Sequence, residues 1–211
     1  MKLAVVNLKG GSGKTVSSFF LATVLNRRGR TLLVDCDPQG STLSWSRLAE
    51  EDDNGAGQSP PFAVMGLPVK DVHRRIRPFE GDYEHIVFDT PPGELVIVRS
   101  ALLAADVALI AVPPTPIDLD RVMPTIELVA DVEEMTGLRF HVLLTRVRRI
   151  SREGRDTREA MAGMGLPLLE ADIPALGFYS DSFGVAIENA GDYELVAREL
   201  LGEPIEREVS A

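Results

Sequence analysis

The chain has 211 residues, 45% of them hydrophobic, enough for one substantial buried core. Its formal net charge of −10 excludes a general attraction to nucleic acid, and its one cysteine, Cys36, excludes an internal disulfide and a cysteine-held zinc or iron–sulfur cluster. No apolar run is long enough to cross a bilayer, and an apolar segment begins at once without the zones of a secretion signal. The expectation is therefore a single cytoplasmic domain over residues 1–211.

Short apolar runs at 3–8, 31–35, 85–89, 107–112 and 140–145 read as strands, and they do not alternate with polar residues, as when both faces of a sheet are covered. Between them Val16, Phe19, Phe20, Ala22 and Leu25, and later Ile126, Val129, Ala130 and Val132, recur at helical spacing. Strand and helix in alternation predict a three-layer α/β/α architecture with a mainly parallel sheet. The stretch 50–61 is acidic, contains Gly and Pro, lacks periodicity, and reads as an exposed loop inside the domain. Pro113, Pro114 and Pro116 fix an extended exit before a helix expected to start near Asp118, whose side chain would cap it.

The first predicted strand runs into Lys9-Gly10-Gly11-Ser12-Gly13-Lys14-Thr15 and then directly into the first helical pattern. Glycines let backbone N–H groups fold around phosphate oxygens, and a helix N-terminus adds partial positive charge aimed at the same anion. Lys14 would reach the β- and γ-phosphates of a nucleotide, and the Thr15 hydroxyl would ligate the magnesium that bridges them. The general phosphate-loop pattern asks for glycine at position 8, where this chain has Leu8.

With lysine ahead of the glycines, the motif resembles instead the deviant Walker A of the ParA/MinD family, within the P-loop NTPase fold. That resemblance implies ATP with Mg2+, and makes Lys9 the signature lysine that crosses a dimer interface to the phosphates of the other subunit. Gly10, Gly11, Ser12, Gly13, Lys14, Thr15 and Val16 would then form the nucleotide cradle, with Lys9 and Lys14 catalytic. Asp35-Cys36-Asp37-Pro38-Gln39-Gly40 is similar to the element that follows the Walker A helix in the family. It implies that Asp37 positions the attacking water and that Asp35 supports the metal, whereas a helix cap or turn is the plainer reading of the same pair. Asp89, ending an apolar run and followed by Thr90-Pro91-Pro92-Gly93, resembles the Walker B aspartate that holds magnesium through water. Farther on, Ile173-Pro174 resembles the loop beside adenine, and Arg146 stands where relatives often place an asparagine that touches the base.

Residues 146–158 hold six arginines against two carboxylates, while 188–211 hold seven carboxylates against two arginines. By the resemblance, Arg148, Arg149, Arg152, Arg155 and Arg158 would bind DNA without sequence preference; a solvated helix face with local ion pairs is the simpler alternative. His73, His85 and His141 are scattered and carry no expected role, Cys36 reads as an apolar filler, and Trp45 reads as a packing residue. The expected function is a ParA-like ATPase, homodimeric with ATP, stimulated by a ParB-like or small basic adaptor, and working over the nucleoid to place DNA or a protein cluster. No membrane contact is expected, because the C-terminal segment is acidic where a MinD-like helix would be basic. Two other readings stay open: that membrane-associated role, and a metabolic enzyme such as a dethiobiotin synthetase-like ligase.

Overall fold

In the computed structural model residues 1–51, 59–148 and 152–204 are described, apart from the side chains of 152–154. Six strands, β1 (Lys2–Val6), β2 (Thr31–Asp35), β3 (Ala63–Gly66), β4 (His85–Asp89), β5 (Val107–Val112) and β6 (Arg139–Leu144), form one sheet in the order β3-β2-β4-β1-β5-β6. Every pairing is parallel. The helices are α1 (Lys14–Asn26), α2 (Ser41–Glu50), α3 (Val72–Arg75), α4 (Leu95–Ala104), α5 (Pro116–Thr136), α6 (Arg152–Gly163), α7 (Gly177–Asp181) and α8 (Tyr193–Leu201).

Successive strand residues point to opposite faces, so the unbroken apolar runs feed two cores. Ala4, Val6, Val34, Phe88 and Ile110 pack with α4 and α5 on one face. Leu3, Val5, Leu33, Val87 and Leu109 pack with α1, α2 and α8 on the other. Aromatic rings dominate the second core: Trp45 is wholly buried and stacks on Phe19 with centroids 4.2 Å apart, and Phe20 meets Tyr193 at 5.0 Å. The apolar stripe of α8 is thereby occupied, since Tyr193, Val196, Ala197 and Leu200 are all buried in that core. Among the described residues no helix is long and apolar enough to cross a membrane.

Three expectations need correction. The edge strand β3 is absent from the sequence reading: it has only four residues, none buried, so it shows neither the apolar run of a central strand nor an alternation long enough to read. Asp118 does not cap α5. Thr115 does, accepting from the Asp118 N–H, with Pro116 at the first helical position where its missing N–H costs nothing. The first strand stops at Val6 rather than Leu8, because Asn7 turns the chain: its side chain donates to the Ala111 carbonyl at 2.7 Å and accepts from the Lys9 N–H at 2.8 Å. Residues 52–58 of the expected loop, and Arg149, lie outside the described residues.

Replacing Trp45 with Ala removes the largest buried ring of the second core and should lower unfolding free energy by about 3–5 kcal/mol in urea titrations. A loss under about 1 kcal/mol would show that this stack is not a principal support of α1 and α2.

Candidate active site

Parallel strands place their C-terminal ends on one edge, and there the loops after β1, β2, β4, β5 and β6 converge. The loop after β1 enters α1 through Gly13, whose φ of 92° is left-handed, as is the 76° of Gly11. Only glycine adopts these angles without strain, and a Cβ on Gly11 would meet nothing within 4 Å, so its backbone lies open. The Thr145 hydroxyl at the end of β6 fastens the loop from below by donating to the Ser12 carbonyl at 2.8 Å. The Ser12 hydroxyl itself is buried with no hydrogen-bond partner.

Charge is concentrated beneath this loop. Lys14 is only 6% exposed, and its Nζ donates to the Lys9 carbonyl at 3.2 Å. Burial lowers its pKa, opposed by attraction to Asp89 and Asp37. Asp89, at the end of β4, is fully buried, and burial pushes its carboxyl up to about 6. Hydroxyls of Thr42 and Thr15 donate to it and pull the other way, as does Lys14; Thr42 lies at 2.7 Å and Ser18 donates at 3.2 Å. Asp35 accepts from the N–H of Asp37 and the N–H of Leu43, each at 3.0 Å, so it acts as a cap for α2, whose own N-cap Gly40 has no side chain. Burial still raises its pKa. Asp37, half-buried beside Lys14, accepts from the Gln39 N–H at 2.9 Å. Cys36 points away into the first core, and burial together with the three neighbouring carboxylates holds its thiol well above the ordinary range.

These groups suit a phosphate chain with a divalent cation. A buried ammonium and an open glycine loop at a helix N-terminus await an anion, and a carboxylate whose charge is disfavoured by burial would be ionised by a neighbouring cation. Thr15 and Asp89 would hold magnesium, with Asp35 and Asp37 beyond them. Among the described residues no group of three acidic, His or Cys side chains could hold a metal alone; a magnesium at this site would take its remaining ligands from phosphate and water. Beside the loop opens a cavity of about 760 Å³ whose walls include Val16, Arg146, Ile173, Pro174, Leu176 and Tyr179. Arg146 and Pro174, expected near a base, thus flank one space. Arg146 has a φ of 55°, the one positive value outside glycine among the described residues. Asparagine tolerates that conformation better than arginine does.

Sequence reading misses the partner of Lys9. Its Nζ forms an ion pair with Asp118, a carboxylate almost wholly buried, to which the Thr115 hydroxyl also donates. The local pattern around Asp118 suggests only a cap, and its pairing depends on the fold bringing β1 and α5 together. The predicted arginines separate. Arg148 and Arg155 are exposed. Arg158 instead donates to the Leu169 and Glu170 carbonyls and pairs with Asp172 at 3.2 Å, holding α6 to the loop that leads to Pro174. Arg152 begins α6.

A six-stranded parallel sheet with a glycine loop between β1 and α1 defines a P-loop nucleotide-binding protein. Residues 3–177 match the model of the CobQ/CobB/MinD/ParA nucleotide binding domain, and the chain belongs to that family. It is 32% identical over 213 residues to the maintenance of carboxysome distribution protein A of Gloeobacter kilaueensis, covering 94% of this chain and 93% of that one. It is 28% identical over 166 residues to the chromosome-partitioning ATPase Soj of Thermus thermophilus, covering 67% and 66%. Among solved structures a singly substituted Cyanothece McdA in complex with ATP superposes with a TM-score of 0.77 at 18% identity, covering 98% of each chain. Cobyrinic acid a,c-diamide synthase from Mycobacterium smegmatis, with an ATP analogue and magnesium, gives 0.75 at 21%, covering 95% and 93%. Both likenesses are of fold.

Because the folded pKa of Asp89, about 6, lies above its ordinary 3.8, its charge costs stability above pH 6, and the cost fades as pH falls towards 4. Asp89→Asn should therefore raise unfolding free energy at pH 8 by on the order of 2 kcal/mol, lose that gain by pH 4, and abolish magnesium-dependent nucleotide binding. An equal change at both pH values would show that the buried charge is not its source.

Proposed function

We propose that this chain is a ParA-like positioning ATPase: it binds ATP with magnesium, closes face to face with a second copy, hydrolyses slowly, and so times its hold on a surface. The observation that carries this reading is Lys9. It is unnecessary for cradling phosphate within one subunit, yet it stands at the mouth of the loop, held by Asp118 of its own chain and partly exposed. Leu95 and Val96, each 54% exposed, follow Gly93, whose N–H bonds the Leu8 carbonyl; Ile117, 55% exposed, adjoins Asp118. A cation rimmed by exposed apolar side chains suits a face that meets another protein. In the closed dimer Lys9 would leave Asp118 for the phosphates of the other subunit. Asp37 would orient the attacking water, and loss of the γ-phosphate would release the loops at Asp37 and Asp89.

The named role of the Gloeobacter kilaueensis relative supports a protein assembly as cargo, and that of Soj supports DNA. The dimer would ride on nucleoid DNA through Arg148, Arg149, Arg152 and Arg155, and a ParB-like or small basic adaptor would set the hydrolysis rate. Arg158 is left out of that contact because its guanidinium already holds backbone carbonyls and Asp172. A MinD-like membrane helix is disfavoured by α8, whose apolar face is committed to the core. The alternative ligase reading requires substrate-dependent turnover, whereas slow hydrolysis raised by DNA and adaptor supports positioning.

Lys9→Ala should bind ATP within about threefold of the parent yet remain monomeric with ATP in sedimentation, because its contact arises only on closure. Normal ATP-dependent dimerisation of that variant would contradict the reading. Asp37→Ala should accumulate as the ATP-bound dimer with hydrolysis down about a hundredfold or more, an idea that fails at the parental rate. Arg148→Glu with Arg155→Glu should weaken DNA retention about tenfold or more at low salt with ATP. Unchanged retention removes the arginine face.

A further inference from the structure

The outer edge of β6 is covered by the segment 167–175, and the match in length is uneven. Val142 and Leu144 of β6 accept from the N–H groups of Leu169 and Ile173, so four steps along the segment run beside two along the strand. The surplus pushes 170–172 outward as a bulge, and the backbone groups around it need partners from elsewhere. Two charged side chains supply them, from helices whose apolar residues pack into the two different cores. Arg158 of α6 donates to the Leu169 carbonyl at 2.8 Å and the Glu170 carbonyl at 3.3 Å, and pairs with Asp172 at 3.2 Å. Glu199 of α8 accepts from the N–H groups of Glu170 at 2.8 Å and Ala171 at 2.6 Å. A cation on the carbonyls and an anion on the N–H groups make charge-assisted bonds, roughly twice as strong as neutral ones.

The bulge leads straight into the nucleotide cavity. Ile173 and Pro174, which follow it at once, belong to the cavity wall. The Val147 N–H donates to the Ile173 carbonyl and the Ala175 N–H to the Val147 carbonyl, each at 2.9 Å, which ties this wall to the residue after Arg146. We propose that Arg158 and Glu199 are positioning residues for the base: together they fix the bulge, and the bulge sets where Ile173 and Pro174 stand beside the bound base. The role rests on the nucleotide reading of the site. Neither side chain lines the cavity, so both act through the backbone of 169–172. The phosphate-holding loop lies between β1 and α1, and Asp35 and Asp89 end β2 and β4, all separate from this edge of the sheet. Affinity for the base and affinity for the phosphates should therefore come apart when the clamp is cut.

The test titrates the full chain calorimetrically with two magnesium complexes, ATP and inorganic tripolyphosphate, the second having phosphates and no base. Arg158→Ala and Glu199→Ala should each weaken ATP about tenfold while tripolyphosphate stays within about twofold of the parent. Arg158→Lys and Glu199→Gln, which keep part of each contact, should fall between the parent and the alanine variants. In turnover the alanine variants should raise KM for ATP with kcat near the parental value, since the loops at Asp37 and Asp89 are untouched. Hydrogen exchange should quicken at 169–175 and remain parental in β1 and α1, which shows that each variant is folded. Equal ATP affinity in the parent and both alanine variants overturns the proposal. So does an equal loss of ATP and tripolyphosphate, because the base wall would then have no separate part. Parental exchange at 169–175 in both variants rejects the clamp, whereas a parent that binds neither ligand rejects the nucleotide reading itself.

Discussion

One constraint organises the molecule: an ammonium and a carboxylate, Lys14 and Asp89, are buried together at the C-terminal edge of a parallel sheet. Removing two charges from water costs several kcal/mol each, in order of magnitude, and their mutual attraction offsets that only when further partners complete the arrangement. Here the additional partners are hydroxyls of Ser18 and Thr42 and the turn held by Asp35; they tie α1 to β4 and fix the start of α2. The sheet order puts β1 between β4 and β5, so the glycine loop, the Asp89 strand and the Lys9-binding helix α5 meet at one edge. Fold and site are thus a single arrangement, with the two apolar cores fixing the strands whose ends carry the charges.

From that arrangement the chemistry follows in steps. A buried ammonium under an open backbone loop suits an anion with several oxygens, and a carboxylate raised to about 6 by burial suits a cation beside it; a nucleotide with magnesium would supply both. Lys9 is the piece that such a site does not need by itself. Asp118, itself almost wholly buried, keeps it at the mouth, beside the exposed apolar side chain of Ile117. Membership of the CobQ/CobB/MinD/ParA family agrees with this geometry, since the matched residues 3–177 include the glycine loop, Asp35, Asp37, Asp89 and Pro174.

Much of this is legible in the residues. Uninterrupted apolar runs mark strands covered on both faces, and the seven residues from Lys9 to Thr15 define their own local backbone, so five strands and the phosphate loop can be read directly. The placing of Asp89 at a strand end and of Lys14 at the start of α1 also follows from local pattern. What cannot be read depends on distant residues. β3 is stabilised by pairing with β2 rather than by burial of its own side chains, and four residues carry too little periodicity to announce it. The bond between Lys9 and Asp118 joins positions 109 apart. Arg158 illustrates the same limit: beside five other arginines it reads as part of a basic face, yet its position on α6 brings it to the carbonyls of 169 and 170. Asp35 takes the plainer of its two sequence readings, capping α2 through the Leu43 N–H.

The most direct measurement is a crystal structure of the chain with a non-hydrolysable ATP analogue and magnesium. The account predicts two copies related by a twofold axis, with each Lys9 Nζ released from Asp118 and within hydrogen-bond distance of the other copy's phosphates. A lone subunit with nucleotide in place and Lys9 still bound to its own Asp118 would contradict it.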